Sequence, residues 1–219
     1  MQTVNAMSDR APGARRSHCN GCTRPLNACI CGWVTPVATG VELLVLQHPM
    51  EAAHAKGSAR LLHMSVPGSR LVKGERFDPC ELDIMLFGGG RRPVLLYPDP
   101  QDERAPGVPA PAPFGARLAA PASLRLVVLD GTWRKSRKML HLNPLLQQLP
   151  RLPLTAMPAS HYLIRKAHAP DQLSTLEATC YALGQLEGDA ARFAPLVAAF
   201  DRFVAHFGAT AGRIGISQD

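Results

Sequence analysis

Apolar residues recur along this chain in two rhythms. Leu126–Leu129 is a short, continuous apolar run with β-branched residues, and Val41–Gln47 (VELLVLQ) is largely apolar. Such runs read as buried strands, and Leu126–Leu129 as a parallel one. Arg70–Val72 and Pro93–Tyr97 read as two further strands, with Leu152–Thr155 and Tyr162–Ile164 as weaker candidates. Helical spacing appears elsewhere. Glu51–Met64 predicts a helix behind His48-Pro49, with the proline near its first turn. A second helix starts at about Trp133, breaks at Asn143-Pro144 and resumes to Gln148. Leu173–Leu186 is a third. Pro195–Phe207 is a fourth, with Leu196, Val197, Phe200, Phe203, Val204 and Phe207 on one face as a core stripe. Strands alternating with helices predict an α/β layer architecture.

Between these elements, Gly88-Gly89-Gly90 is a connection. Residues 98–121 hold seven prolines and read as a loop. The glycine run lacks a following Lys-Ser/Thr, and no G-x-G-x-x-G occurs, so neither a P-loop nor a dinucleotide fingerprint is present.

The chain has 219 residues, 46% of them hydrophobic, enough for one sizeable core and a small appendage. A formal net charge of +7 favours an anionic partner, nucleic acid before membrane. No apolar run reaches transmembrane length, and the first residues lack a signal-peptide core. The expected location is the reducing cytoplasm, without membrane attachment. The six cysteines are then not a disulfide framework.

Four of them, Cys19, Cys22, Cys29 and Cys31, lie within thirteen residues. Four thiolates can close a tetrahedral Zn²⁺ site with no open position, which is a structural site. His18 is an alternative ligand, and an iron–sulfur cluster is the rival metal site. The segment is too short and polar to bury four thiols in a core. Cys80 and Cys180 stand apart and read as packing residues.

The densest chemistry follows the Leu126 strand. Asp130 ends the apolar run, a Gly-Thr-Trp turn follows, and Arg134, Lys135, Arg137 and Lys138 place four cations in five residues. Ligands in open α/β sheets sit beyond the carboxyl ends of strands. Asp130 reads either as a helix N-cap or as a general base at that edge. Trp133 reads either as core or as a plate that stacks on a nucleobase. The four cations, with no carboxylate among them, suit phosphates. His48 is a turn histidine with either a catalytic or a packing role. Ser174-Thr175-Leu176-Glu177 is a capping box whose helix start offers N–H groups to a carboxylate. Arg165 and Lys166 add charge before it.

These segments also carry a family resemblance. The cysteine quartet, His48-Pro49-Met50-Glu51, Leu95-Leu96-Tyr97-Pro98, Asp130-Gly131-Thr132-Trp133, Tyr162–Arg165 and Ser174–Ala178 stand in one order. In that order they resemble the DTW-domain family, the tRNA-uridine aminocarboxypropyltransferases. The likeness spans roughly Cys19 to Ala182. Gly57-Ser58 stands where the family often has Asn-Thr, and Ser136 where Ala is common.

The resemblance implies a SPOUT-like sheet with helices on both faces and a C-terminal trefoil knot. It implies transfer of the 3-amino-3-carboxypropyl group of S-adenosylmethionine to a uridine of tRNA. Asp130 and Trp133 would be catalytic. Leu96, Tyr97, Pro98, Thr132, Arg165, Ser174, Thr175 and Glu177 would bind the donor. Arg134, Lys135, Arg137, Lys138, Arg15 and Arg16 would contact RNA, with structural zinc on the cysteine quartet. The competing expectations are a SPOUT-type tRNA methyltransferase and a non-catalytic zinc-ribbon RNA-binding protein. The expected division is a basic tail and zinc segment over residues 1–38 and a catalytic domain over 39–219.

Overall fold

A computed structural model describes residues 17–52, 57–98, 114, 120–154 and 173–214, with side chains of the last helix described to Phe207. The described residues fall into two compact units, one ending at Gly32 and the other beginning at Trp33.

The second unit is built on five parallel strands: β1 (Glu42–Gln47), β2 (Arg70–Lys73), β3 (Arg92–Leu96), β4 (Leu124–Asp130) and β5 (Arg151–Leu152). Their spatial order is β2-β1-β4-β3-β5. The helices are α1 (Pro49–Ala52), α2 (Ser58–Ser65), α3 (Pro79–Phe87), α4 (Trp133–Leu142), α5 (Pro144–Gln147), α6 (Thr175–Glu187) and α7 (Ala194–Ile214). All seven residues of β4 are buried, as its unbroken apolar run requires of a central parallel strand.

Helices cover both faces of the sheet. The connections β2→β3 and β4→β5 cross it in the same direction, and right-handed crossovers then put their helices on one side. Leu82, Met85 and Leu86 of α3 and Met139 and Leu140 of α4 accordingly share one core with Leu44, Leu46, Leu95, Val127 and Leu129. The alternate strand residues Leu43, Val45, Leu126 and Val128 point the other way and are equally buried. On that side α2 packs on β1, and α6 packs on β4 and α2. The stripe on α7 is confirmed in Leu196, Phe200, Phe203 and Val204, all buried.

Several expectations need correction. The helix expected over Glu51–Met64 is described as α1 and α2, with residues 53–56 outside the described set. Helix α3 was not expected from the apolar spacing. It has a clear start signal, Asp78 accepting from the Cys80 and Glu81 N–H groups with Pro79 in the first turn. Its outer face, however, carries Ile84 and Phe87, both exposed, so apolar residues surround the helix and no stripe stands out. Cys80 on the same helix is exposed and does not pack, whereas Cys180 is buried as expected. The strand expected at Tyr162–Ile164 and most of the proline-rich loop lie outside the described residues.

Candidate active site

The carboxyl ends of the two central strands meet in a pair. Gln47 and Asp130 are register partners in the parallel ladder between β1 and β4, so their side chains leave the sheet on the same face. The Gln47 amide donates from Nε2 to Asp130 Oδ2 at 2.8 Å. The Thr175 hydroxyl, in the first turn of α6, donates to Asp130 Oδ1 at 2.6 Å. Asp130 is 6% exposed, so the carboxylate is nearly enclosed. Both donors are neutral. The helix-cap reading of Asp130 has no support here: the N-cap of α4 is Thr132, and its side chain makes no capping bond.

The turn after Asp130 is tight. A Cβ on Gly131 would lie 3.1 Å from Lys135 Cβ and 3.3 Å from Ser136 Oγ. Ser136 closes the turn by donating to the carbonyls of Thr132 and Gly131. Trp133 therefore stands at the head of α4, 50% exposed. The Tyr97 ring, just past β3, meets it edge-on with centroids 5.7 Å apart. Tyr97 is itself buried, with the Arg151 guanidinium 5.3 Å from its centroid. An exposed indole backed by a buried ring is a surface a planar base can stack on.

The α6 start is more occupied than its sequence implied. The Glu177 N–H donates to Ser174 Oγ, and Glu177 Oε2 accepts from the Ser174 N–H, a complete capping box. The Leu176 N–H reaches Ser58 Oγ at 3.4 Å. Glu177 is buried within this cap. Thr175 faces Asp130, so of the described residues expected near the donor it is the one whose side chain bonds the carboxylate. Leu96 is half-buried and Pro98 exposed at the end of β3. Arg165, Arg15 and Arg16 lie outside the described residues.

The basic run on α4 also differs from expectation. Its cations do find carboxylates, supplied by other elements. Lys135 pairs with the buried Glu51 of α1 at 2.8 Å, and Lys138 pairs with Glu75 at 2.9 Å. Arg134 and Arg137 are exposed. Glu75 also accepts from His48 Nε2 at 2.9 Å. The Met50 N–H donates to His48 Nδ1, so the ring hydrogen is on Nε2. His48 is thus a turn residue that ties the β1 end to the β2–α3 loop. The Lys138 and His48 donors hold the Glu75 carboxyl below its usual range.

Sequence reasoning missed Gln47 and Glu75. Gln47 was read only as the end of an apolar run, and a polar residue terminating a central strand beside a second such strand is the signal that could have found it.

In the other unit, the Sγ atoms of Cys19, Cys22, Cys29 and Cys31 all lie within 4.8 Å of one another, close enough to hold one metal ion. The Cys22 and Gly21 N–H groups point at Cys19 Sγ and lower its pKa to about 6. Cys31, opposite it, is pushed up to about 12. Thr23, just after Cys22, takes a left-handed φ of 56°, and its N–H closes the Cys19–Cys22 turn on the Cys19 carbonyl at 2.7 Å.

A family model described as DTW domain matches residues 16–208. The tRNA-uridine aminocarboxypropyltransferase 2 of Drosophila melanogaster is 31% identical over 182 residues, 80% of this chain and 69% of that protein. Its namesake from Mus musculus is 30% identical over 178 residues, 79% of this chain and 57% of that protein. The tRNA-uridine aminocarboxypropyltransferase A of Arabidopsis thaliana is 28% identical over 137 residues, covering 57% of this chain and 50% of that protein. The chain thus spans between half and about two thirds of the length of these relatives. No solved structure matches it significantly. With nearly the whole sheet unit inside the matched span, the chain belongs to the DTW domain family.

Proposed function

We propose that the chain transfers the 3-amino-3-carboxypropyl group of S-adenosylmethionine to N3 of a uridine in tRNA, releasing methylthioadenosine. The observation that carries this reading is Asp130: a nearly enclosed carboxylate at the ends of the two central strands, held by two neutral donors beside the exposed Trp133. The relatives, named as tRNA-uridine aminocarboxypropyltransferases, supply the reaction class.

Uridine N3–H is a weak acid and has to lose its proton to become a nucleophile. Asp130 accepts that proton, directly or through a water. The N3 lone pair then forms the N–C bond at the methionine γ-carbon. The C–S bond breaks towards sulfur, which leaves as a neutral thioether. Trp133 stacks on the uridine and, with Tyr97 behind it, fixes the base in line with that carbon. Leu96, Tyr97, Pro98, Thr132, Ser174 and Thr175 surround the donor, with Glu177 fixing the α6 start from within and Arg165 as a further contact. Arg134, Lys135, Arg137, Lys138, Arg15 and Arg16 serve the RNA side.

The parallel sheet and the return of α6 to its carboxyl edge support a SPOUT-like fold. The C-terminal trefoil knot that the resemblance implies belongs to this proposal, and residues 155–172 lie outside the described set. We assign structural Zn²⁺ to the cysteine quartet, since four sulfurs leave no open coordination position. Purified protein should hold one zinc per chain, and Cys22→Ser should lose it. Among the described residues no helix is long and apolar enough to cross a membrane, and the free thiols fit a reducing cytoplasm.

The direct test is nucleoside mass analysis of tRNA incubated with the protein and donor labelled in the methionine chain. The expected product is a uridine heavier by the aminocarboxypropyl group, with methylthioadenosine as by-product. Methylated nucleoside with S-adenosylhomocysteine would make the protein a methyltransferase. Binding of tRNA without turnover would make it a non-catalytic RNA-binding protein.

A further inference from the structure

The donor residues proposed above occupy one flank of Asp130: the end of β3, the Thr132 turn and the start of α6. The other flank is formed by the ends of β1 and β2 and the loop into α3. We propose that the single-stranded RNA segment next to the target uridine crosses this second flank, with its phosphates held by Lys73 and Arg76. The inference rests on the tRNA chemistry proposed above and adds a surface outside the α4 basic run.

Topology sets the distance. Lys73 is the register partner of Gln47, and Gln47 is the partner of Asp130. Neighbouring strands lie about 4.8 Å apart, so Lys73 is about 10 Å from Asp130 along one edge of the sheet. Directly opposed residues share a face, so Lys73 leaves the sheet on the side where Asp130 and Thr175 meet. That spacing puts its long side chain in reach of a phosphate next to a uridine seated at Asp130.

The loop that follows is fixed. The Gly74 N–H donates to the Gln47 carbonyl at 3.0 Å. A Cβ at position 74 would lie 2.4 Å from the Phe77 ring, so the ring packs directly on the glycine. Asn143, between α4 and α5, donates to the Glu75 carbonyl and accepts from the Phe77 N–H, both at 2.9 Å. Arg76, between those two anchored residues, is exposed, as is Lys73. Neither has an ion pair among the described residues. The acid between them, Glu75, is engaged by His48 and Lys138 and so is already compensated. Two uncompensated cations on a preorganised loop fit an anionic chain better than do Lys135 and Lys138, each of which has a carboxylate partner. The segment must be single-stranded, because a base that reaches a carboxylate at a strand end has to leave its stack.

The test is tRNA binding by Lys73→Gln, Arg76→Gln and the pair across a series of salt concentrations. Arg92→Gln, at the exposed amino end of β3, is the control. Each single variant should lower the slope of log K against log salt by about 0.7 to 0.9, and the pair by about twice that. Affinity for S-adenosylmethionine should stay as in the parent. At saturating tRNA kcat should remain within about twofold while KM for tRNA rises. An unchanged slope and KM in the pair would overturn the inference, as would an equal loss in Arg92→Gln, which would mean diffuse attraction. If the parent forms no aminocarboxypropyluridine, the proposed reaction fails. The salt slopes are then read with tRNA binding alone, so the two failures are distinguishable.

Discussion

Strands β1 and β4 carry a polar pair at each end, and the two pairs differ in kind. At the amino end Glu42 faces Arg125 in register. The Arg125 guanidinium donates to both Glu42 oxygens and to the carbonyls of Met85, Leu86 and Gly88. It satisfies the last carbonyls of α3, and Glu42 is further paired with Arg91 at 3.0 Å. Charge meets charge and every donor ends on the protein. At the carboxyl end Gln47 faces Asp130, and among the described residues the carboxylate receives neutral side-chain donors, beside a half-exposed indole. One cluster is closed by charge, and the other sets a carboxylate beside an exposed indole. The same strand geometry thus gives a clamp at one end and a reactive edge at the other.

Two substitutions should break this comparison most strongly. Asp130→Asn keeps the shape of the carboxyl-end cluster and removes its proton acceptor. We expect activity to fall by about 10²–10⁴-fold, with the melting temperature and tRNA affinity close to the parent. Turnover assays with a parallel melt separate the two, and near-parent turnover would make Asp130 a structural tie between β1, β4 and α6. Arg125→Leu should do the reverse. It leaves the Met85, Leu86 and Gly88 carbonyls without their donor and Glu42 with Arg91 alone, at a cost of about 1–3 kcal/mol, read by denaturant unfolding. Activity should track only the fraction that stays folded.

How far each cluster can be read from sequence follows from the same contrast. Asp130 is legible because a carboxylate abruptly ends an apolar run, and β1, β3 and β4 because buried parallel strands are largely apolar runs. Gln47 and Glu75 are not. Their roles depend on register between β1 and β4 and on a loop docked to α4 through Asn143, and both are relations between segments far apart in the chain. The α4 cations were misjudged for the same reason: local sequence shows like charges side by side but not Glu51 and Glu75 arriving from elsewhere. Helix α3 was hidden by its exposed Ile84 and Phe87, although Asp78-Pro79 marks its start.

Gln47→Met sharpens the comparison at smaller scale. Methionine keeps the length of the side chain and removes the N–H that orients Asp130 Oδ2. If Gln47 acts by positioning the carboxylate, kcat should fall by about tenfold, while KM for tRNA and for S-adenosylmethionine stay within about threefold. A change in KM or in melting temperature that matches the loss of kcat would instead make Gln47 a packing residue of the β1 end.

The smallest effect concerns Glu75, which joins the open edge to α4. Lys138 and then His48 stabilise its ionised form, so its folded-state pKa lies below the ordinary glutamate value. A carboxyl group depressed on folding contributes stability above its unfolded pKa, about 4.3, and loses it as pH falls through the folded value. Glu75→Gln should therefore melt below the parent at neutral pH. The gap should narrow as the medium is acidified past the ordinary glutamate range, where the parent also loses the charge. Because Lys138 is largely exposed, added salt should narrow the neutral-pH gap too. The Asn143 bond to the backbone carbonyl at position 75 is kept in the variant, so the loop stays docked and the effect stays small. Melting curves of both proteins at neutral and acid pH, each at low and high salt, check the sign. A gap that is independent of pH and salt would mean that Glu75 acts through its shape and not its charge.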